Sequence, residues 1–136
     1  MGSIIIRLLI SAIVGLAIGL IFKDKNTSRV FALICVGASL VTIISVEFFR
    51  LTDMPWHSDP GRLAAQIISA LGFIGAGFIW VFEGKHIRGL SQSAALWYTA
   101  IIGMVIGVGI TSTTIAVIIF AFILGIVGIN ITRKWE

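Results

Sequence analysis

Apolar residues occupy five long runs of this 136-residue chain, and short polar connections separate the runs. Each run approaches the length of about 20 helical residues that crosses the hydrocarbon core of a bilayer. None of them alternates between apolar and polar positions, as the strands of a membrane barrel do. The pattern therefore predicts an all-α, polytopic membrane protein, a single domain with five transmembrane helices at residues 4–22, 30–48, 61–82, 92–110 and 113–131.

Residues with short polar side chains precede four of these runs and are candidate N-caps. Asp59 offers a carboxylate oxygen before the third run, and the ring of Pro60 suits the first helical position. The other candidates are Thr27 or Ser28 for the second helix, Ser91 for the fourth, and Thr111 or Ser112 for the fifth. Only a few uncharged residues separate the fourth and fifth runs, which predicts a tight antiparallel hairpin between those two helices.

The composition narrows the class of protein further. Apolar residues make up 58% of the chain and charged residues only 12%, against roughly 25% charged residues in a soluble domain. Such a chain cannot coat a soluble enzyme with polar side chains, and its single cysteine, Cys35, excludes an intrachain disulfide. No nucleophile, base and orienting group fall at one depth, so we expect a non-enzymatic protein with no catalytic residue and no cofactor.

The ten basic residues predict the orientation in the membrane. Lys and Arg are enriched in cytoplasmic connections. Seven of the ten flank one side of the predicted bundle: Lys23, Lys25, Arg29, Lys85, Arg88, Arg133 and Lys134. The other three, Arg7, Arg50 and Arg62, flank the opposite side. We therefore expect the N-terminus outside and the C-terminus in the cytoplasm, and the scattered basic residues form no stripe for nucleic acid.

Small residues recur every four positions in several runs, as in membrane helices that pack closely. The first run contains Ser11, Gly15 and Gly19, and the fourth contains Gly103 and Gly107. The pattern favours packing within one chain, with the seam of a homodimer as the alternative.

Ionisable residues at membrane depth face a cavity or a partner in most proteins. Arg7 and Glu47 lie toward the predicted outer ends of their helices, and Asp59, Arg62 and Gln66 fall on the same side. We expect these five side chains to form one outward-facing polar cluster, in which Arg7 or Arg62 pairs with Glu47 or Asp59. The alternative is that the arginines only reach for headgroups and Asp59 only caps a helix.

The acidic residues on this side also suit a hydrated divalent cation, because Mg²⁺ needs only one or two carboxylates. Glu47, Asp53 and Asp59 are the candidates. Nearby arginines oppose a cation, however, so the sequence predicts no built-in metal site. His57 and His86 fall on opposite predicted sides and cannot share a metal.

The central block of the chain resembles the MgtC/SapB family of bacterial inner-membrane proteins. The resemblance rests on an ordered set of residues between Asp59 and Trp97. Its members are Asp59, Pro60, Arg62, Gln66, Gly72, Gly75, Gly77, Gly89, Leu90, Ser91 and Trp97. This resemblance implies a short form of the family, without the cytosolic domain that follows the last helix in longer members.

The resemblance also implies a function, namely regulation in magnesium or ion homeostasis and, in pathogens, survival inside host cells. Such a regulator acts through other membrane proteins, among them P-type cation ATPases and the ATP synthase. The alternative is a transporter or channel that moves an ion or small solute past the polar cluster.

Overall fold

The computed structural model describes residues 2–21, 25–51, 59–81 and 87–132. The chain forms five helices in order: α1 (Gly2–Leu20), α2 (Lys25–Leu51), α3 (Pro60–Phe78), α4 (Leu90–Val108) and α5 (Ser112–Thr132). Between α3 and α4, β1 (Trp80–Val81) pairs antiparallel with β2 (Ile87–Arg88). The all-α, five-helix prediction is confirmed.

Four of the helices are long and apolar enough to cross a membrane, over Ser3–Leu20, Asn26–Leu51, Gly61–Phe78 and Leu90–Val108. In α5 the apolar stretch among the residues whose side chains are described is shorter, Ser112–Leu124. The basic residues Lys23, Lys85, Arg133 and Lys134, on which the predicted orientation partly depends, lie outside the described residues.

The core lies where α2 packs between α1 and α4. Its largest fully buried side chains include Phe31, Leu96, Ile102 and Ile106. Glycines allow this close approach: a Cβ atom at Gly15 would lie 2.7 Å from the Cα atom of Ala32. Packing within the chain therefore uses the small residues that the sequence pattern singled out.

Two glycines of α4, Gly103 and Gly107, lie directly against the backbone of α2. A Cβ atom at Gly107 would lie 2.6 Å from the carbonyl oxygen of Ser39, and one at Gly103 would overlap the carbonyl oxygen of Cys35. In lipid, contact of this kind replaces the hydrophobic force that joins helices in water. The helices α1, α2 and α4 therefore form a closed three-helix unit.

Helix α3 ends earlier than the apolar pattern predicted. The third span was expected to reach residue 82, but Ile79 is extended, with φ −94° and ψ 119°, and its N–H bonds back to the carbonyl of Ala76. The next residues, Trp80 and Val81, are aromatic and β-branched types that favour strands, and they pair with Arg88 and Ile87.

Two of the predicted N-caps are wrong. Helix α4 begins at Leu90 after Gly89, which has φ +85° and no side-chain cap, so Ser91 lies inside the helix. Helix α2 begins at Lys25, so Thr27 and Ser28 also lie inside their helix. Glycine takes the cap position before α4 because it adopts positive φ without a steric penalty.

The other two caps are as predicted. Asp59 Oδ1 accepts a hydrogen bond from the N–H of Gly61 at 2.8 Å, with Pro60 in the first turn. Thr111 Oγ1 accepts from the N–H of Thr114 at 3.2 Å and so caps α5.

The predicted tight hairpin of α4 and α5 is wrong. The connection is short, residues 109–111, but the described part of α5 packs only loosely against α4. Among the described side chains of α5, most of the large ones are exposed, whereas Thr114 and Ala121 are buried. Close packing in lipid needs small residues, and the run of Val117 to Phe120 offers none.

Candidate functional site

Arg7 lies in the second turn of α1 and reaches the C-terminal end of α4. Its Nη1 donates a hydrogen bond to the carbonyl oxygen of Gly107, at an N···O distance of 3.2 Å. The guanidinium also lies against Gly109, where a Cβ atom would be 3.5 Å from Nη2. The last carbonyls of a helix lack partners in the helix and carry its partial negative charge. Arg7 therefore supplies a positively charged donor to one of them and joins α1 to α4.

Glu47 lies near the end of α2 and pairs with Arg50, one turn further along. The Nη1 of Arg50 lies 3.2 Å from Oε1 of Glu47. The two side chains are 69% and 47% exposed, respectively, and a pair so exposed contributes little to stability. Sequence reasoning placed Arg50 on this side of the membrane but not in the cluster.

Asp59 and Pro60 begin α3, and the described role of the Asp59 carboxylate is to cap that helix. Arg62 and Gln66 follow on the same helix, and both are exposed. Their side chains form no hydrogen bond with any of the residues that the structure describes.

The structure thus gives Arg7 and Glu47 separate partners, on α4 and α2, and gives Asp59 a partner at the start of α3. Assembly of Arg7, Glu47, Asp59, Arg62 and Gln66 into one cluster stays a prediction. Asp53 and His57, which sequence reasoning placed nearby, lie outside the described residues.

The glycine-rich part of α3 faces in two directions. Gly75 is buried, and a Cβ atom there would lie 2.6 Å from Oγ of Ser93 on α4. A Cβ atom at Gly72 or Gly77 would meet nothing within 4 Å. Of these three glycines, only Gly75 lies in close contact with α4.

A cavity of about 310 Å³ opens between α3 and α4. Gly72 and Leu71 line it from α3, and Leu90, Ser93 and Trp97 line it from α4. Trp97 is 43% exposed, so it forms a wall of this cavity rather than part of the core.

Two contacts near the C-terminal end of α4 could not be predicted from the sequence. The hydrogen bond between Arg7 and Gly107 joins residues that are 100 positions apart, and no local sequence pattern predicts a contact over such a separation. Ser39 is fully buried between the helices, and its Oγ has no hydrogen-bond partner among the residues that the structure describes. The spacing of Gly103 and Gly107 was the available signal, because it marks the face of α4 that meets α2.

The described residues contain no group of three or more His, Cys, Asp or Glu side chains placed to hold a metal ion. Of the polar side chains described above, Arg7 joins α1 to α4, Asp59 caps α3, and Glu47 pairs with Arg50 within α2.

The model of the MgtC family matches residues 8–134 of this chain. The chain belongs to the MgtC family. With four helices able to cross a bilayer, this member of the MgtC family is a multi-pass membrane protein. The resemblance that the block from Asp59 to Trp97 suggested is confirmed.

Several relatives in the MgtC family are similar over much of the chain. "Putative magnesium transporter YhiD" of Escherichia coli (strain K12) is 41% identical over 113 residues, which is 79% of this chain and 52% of YhiD. Protein SapB of Bacillus subtilis (strain 168) is 34% identical over 131 residues, 89% of this chain and 54% of SapB. Protein MgtC of Salmonella typhimurium is 44% identical over 82 residues, 60% of this chain and 32% of MgtC.

This member of the MgtC family therefore spans about half of the length of YhiD and of SapB, and less of MgtC. No solved structure shows significant similarity to it.

Proposed function

We propose that this chain is a non-enzymatic regulator in magnesium or ion homeostasis at the bacterial inner membrane. It acts by lateral contact of its helices with other membrane proteins. The name of YhiD connects a 41% identical relative with magnesium. The family resemblance adds P-type cation ATPases and the ATP synthase as candidate partners.

The observation that carries the regulator proposal is the closed packing of α1, α2 and α4. At Gly15, Gly103 and Gly107 the backbones approach so closely that not even a methyl group fits. The described residues that line the cavity between α1, α4 and α5 are all isoleucines, and those of the cavity between α3 and α4 are mostly apolar. Neither offers the row of polar groups that a hydrated ion needs along its path.

A transporter or channel is the second candidate function, and the name of YhiD favours it. In that case the solute passes Arg7, Glu47, Asp59, Arg62 and Gln66 on the outer side, and several copies of the chain enclose the path together. The orientation proposed for either function has the N-terminus outside and the C-terminus in the cytoplasm.

Flux measurements on purified protein in liposomes separate the two functions. For a regulator, we expect no Mg²⁺ entry above that of empty liposomes, with a membrane ATPase or the ATP synthase co-purifying from native membranes. Mg²⁺ entry that the Asp59→Asn substitution abolishes would overturn the regulator proposal. Asn retains the N-cap of α3, so a loss of flux in this variant reports the charge rather than unfolding.

A further inference from the structure

The face of α3 that points away from the bundle differs from an ordinary lipid-facing surface. Leu71 and Gly75 are buried against the neighbouring helices. Gln66, Phe73 and Gly77 lie on the opposite side of α3 by helical spacing, and all three are exposed. Ser69 and Ala70 complete this exposed face. Apart from Phe73, the side chains of this face are small or polar, whereas a surface that meets only lipid carries mostly large apolar ones.

Gln66 is the residue that lipid alone does not explain. It lies six residues after Pro60, about 9 Å along the helix axis, inside the segment long enough to cross the membrane. Its amide forms no hydrogen bond with the described residues. An amide without a hydrogen-bond partner is disfavoured in hydrocarbon, so Gln66 favours a contact that offers it both a donor and an acceptor.

The groups on this face complement a second copy of themselves. A glutamine amide both donates and accepts hydrogen bonds, so two Gln66 side chains satisfy each other across a two-fold axis. Asp59 and Arg62, of opposite charge, lie just above Gln66 at the outer end of α3. Arg62 has no ion pair with the described residues, and only one oxygen of Asp59 is occupied by the N-cap.

We propose that this face, made of Asp59, Arg62, Gln66, Ala70, Phe73 and Gly77, is the interface of a parallel homodimer. In it, Arg62 of each copy faces Asp59 of the other, and the Gln66 amides pair below them. Phe73, 85% exposed in the single chain, packs over the open surface at Gly77 of the other copy, where a Cβ atom would meet nothing within 4 Å. A two-fold interface brings each residue near the axis opposite its own copy.

Cysteine cross-linking in membranes tests the interface directly. In a Cys35→Ala background, single cysteines replace Ala70, Phe73 or Gly77 on the proposed face. The matched controls are Ile68→Cys, which is in the same helix but off the face, and Leu33→Cys, which is 73% exposed on α2. Disulfides require Cα atoms within about 7 Å, so oxidation should give a covalent dimer at Ala70 and Gly77 and little at Ile68 or Leu33.

A second experiment tests the polar contacts of the interface. It measures the dimer fraction of the purified chain in liposomes, as co-localisation of labelled subunits, at several protein-to-lipid ratios. A single hydrogen-bonded pair between membrane helices is worth roughly 0.6–2 kcal/mol. Gln66→Leu should therefore weaken dimerisation about three- to thirty-fold. Gln92→Leu, the same change on α4, should leave it unaltered, and Asp59→Asn and Arg62→Gln should each weaken it while preserving the fold.

Three results would overturn the dimer. One is cross-linking that is equal at all five cysteine positions or strongest at Leu33. Another is a purified chain that stays monomeric at every protein-to-lipid ratio. The third is cross-linking of the α3 face to a different membrane protein without self-cross-linking. None of these measurements uses Mg²⁺ flux or a co-purified partner, so the dimer and the proposed function fail independently.

Discussion

Arg7 and Gly107 are separated by 100 positions in the sequence and joined by an N–H···O=C hydrogen bond of 3.2 Å. The same Arg7 accepts, through its carbonyl oxygen, a hydrogen bond from Oγ of Ser11 at 2.9 Å. The backbone of Arg7 thus accepts a hydrogen bond within α1, while its guanidinium donates one to α4. Arg7 thus joins α1 to the C-terminal end of α4 within the three-helix unit.

Loss of the Arg7 guanidinium should therefore loosen α1 from α4. A hydrogen bond to a charged group contributes about 1.5–3 kcal/mol, and we expect Arg7→Leu to lower the free energy of unfolding by an amount in this range. Unfolding in mixed micelles of increasing SDS content, followed by tryptophan fluorescence, measures it. Arg50→Leu removes an equally charged but exposed residue and should change stability by less than about 0.5 kcal/mol. Equal effects of the two substitutions would contradict a special role for Arg7.

Alanine substitutions at two glycines should have opposite effects. A Cβ atom at Gly15 would lie 2.7 Å from the backbone of Ala32, whereas one at Gly37 would meet nothing within 4 Å. Overpacking costs about 1–3 kcal/mol, so Gly15→Ala should lower the melting temperature in detergent. Gly37→Ala should leave it unchanged or raise it, since alanine favours a helix over glycine by up to about 1 kcal/mol. A stable Gly15→Ala protein would mean that the helices α1 and α2 separate readily.

Because Asp59 caps α3, we expect its substitution by Ala and by Asn to lower the stability of the fold by different amounts. Asp59→Ala removes the acceptor for the N–H of Gly61 and should cost about 1 kcal/mol of stability. Asp59→Asn retains an acceptor and should cost almost nothing in the monomer. Thermal unfolding by circular dichroism, at a protein concentration low enough for the monomer, distinguishes the variants. If Asn destabilises as much as Ala, the charge and not the cap is what the fold needs.

Chemical labelling of single cysteines tests the predicted orientation of the chain in the membrane. Ser112 is exposed at the start of α5, on the side predicted to face outward, and Lys85 belongs to the connection predicted to be cytoplasmic. In a Cys35→Ala background, a membrane-impermeant maleimide should label Ser112→Cys in intact spheroplasts. It should label Lys85→Cys only after permeabilisation, and the reverse pattern would place the N-terminus inside.

Much of the fold follows from the apolar runs, because lipid leaves the helix as the only structure for an isolated span. The boundaries follow less well. Thr111 and Asp59 cap helices as their types suggest, but Ser91 does not, since a glycine with positive φ precedes α4. The end of α3 at Phe78 depends on pairing with β2, a contact between segments that a run of apolar residues does not encode.

The candidate site was harder to predict than the fold. The sequence places Arg7 near the N-terminal end of its membrane helix, and the structure shows that it meets the C-terminal end of α4 there. Which helix faces which does not follow from depth. The acceptor for Arg7 is a backbone carbonyl of Gly107, and every residue possesses such a group, so residue type alone could not single it out.

Several hydroxyl groups inside the bundle bond to their own helix rather than to a neighbour. Oγ1 of Thr42 donates to the carbonyl of Ala38 at 2.8 Å, and Oγ1 of Thr99 donates to that of Ala95 at 2.7 Å. Each helix can therefore enter the bilayer with these groups already satisfied, before its neighbours have been synthesised. Helix α4 begins about forty residues after the end of α2 and is therefore synthesised later. Until then, α2 can lie in lipid without exposing the hydroxyl donor of Thr42. We therefore expect insertion of the helices to precede their assembly, with the glycine contacts forming in the second stage.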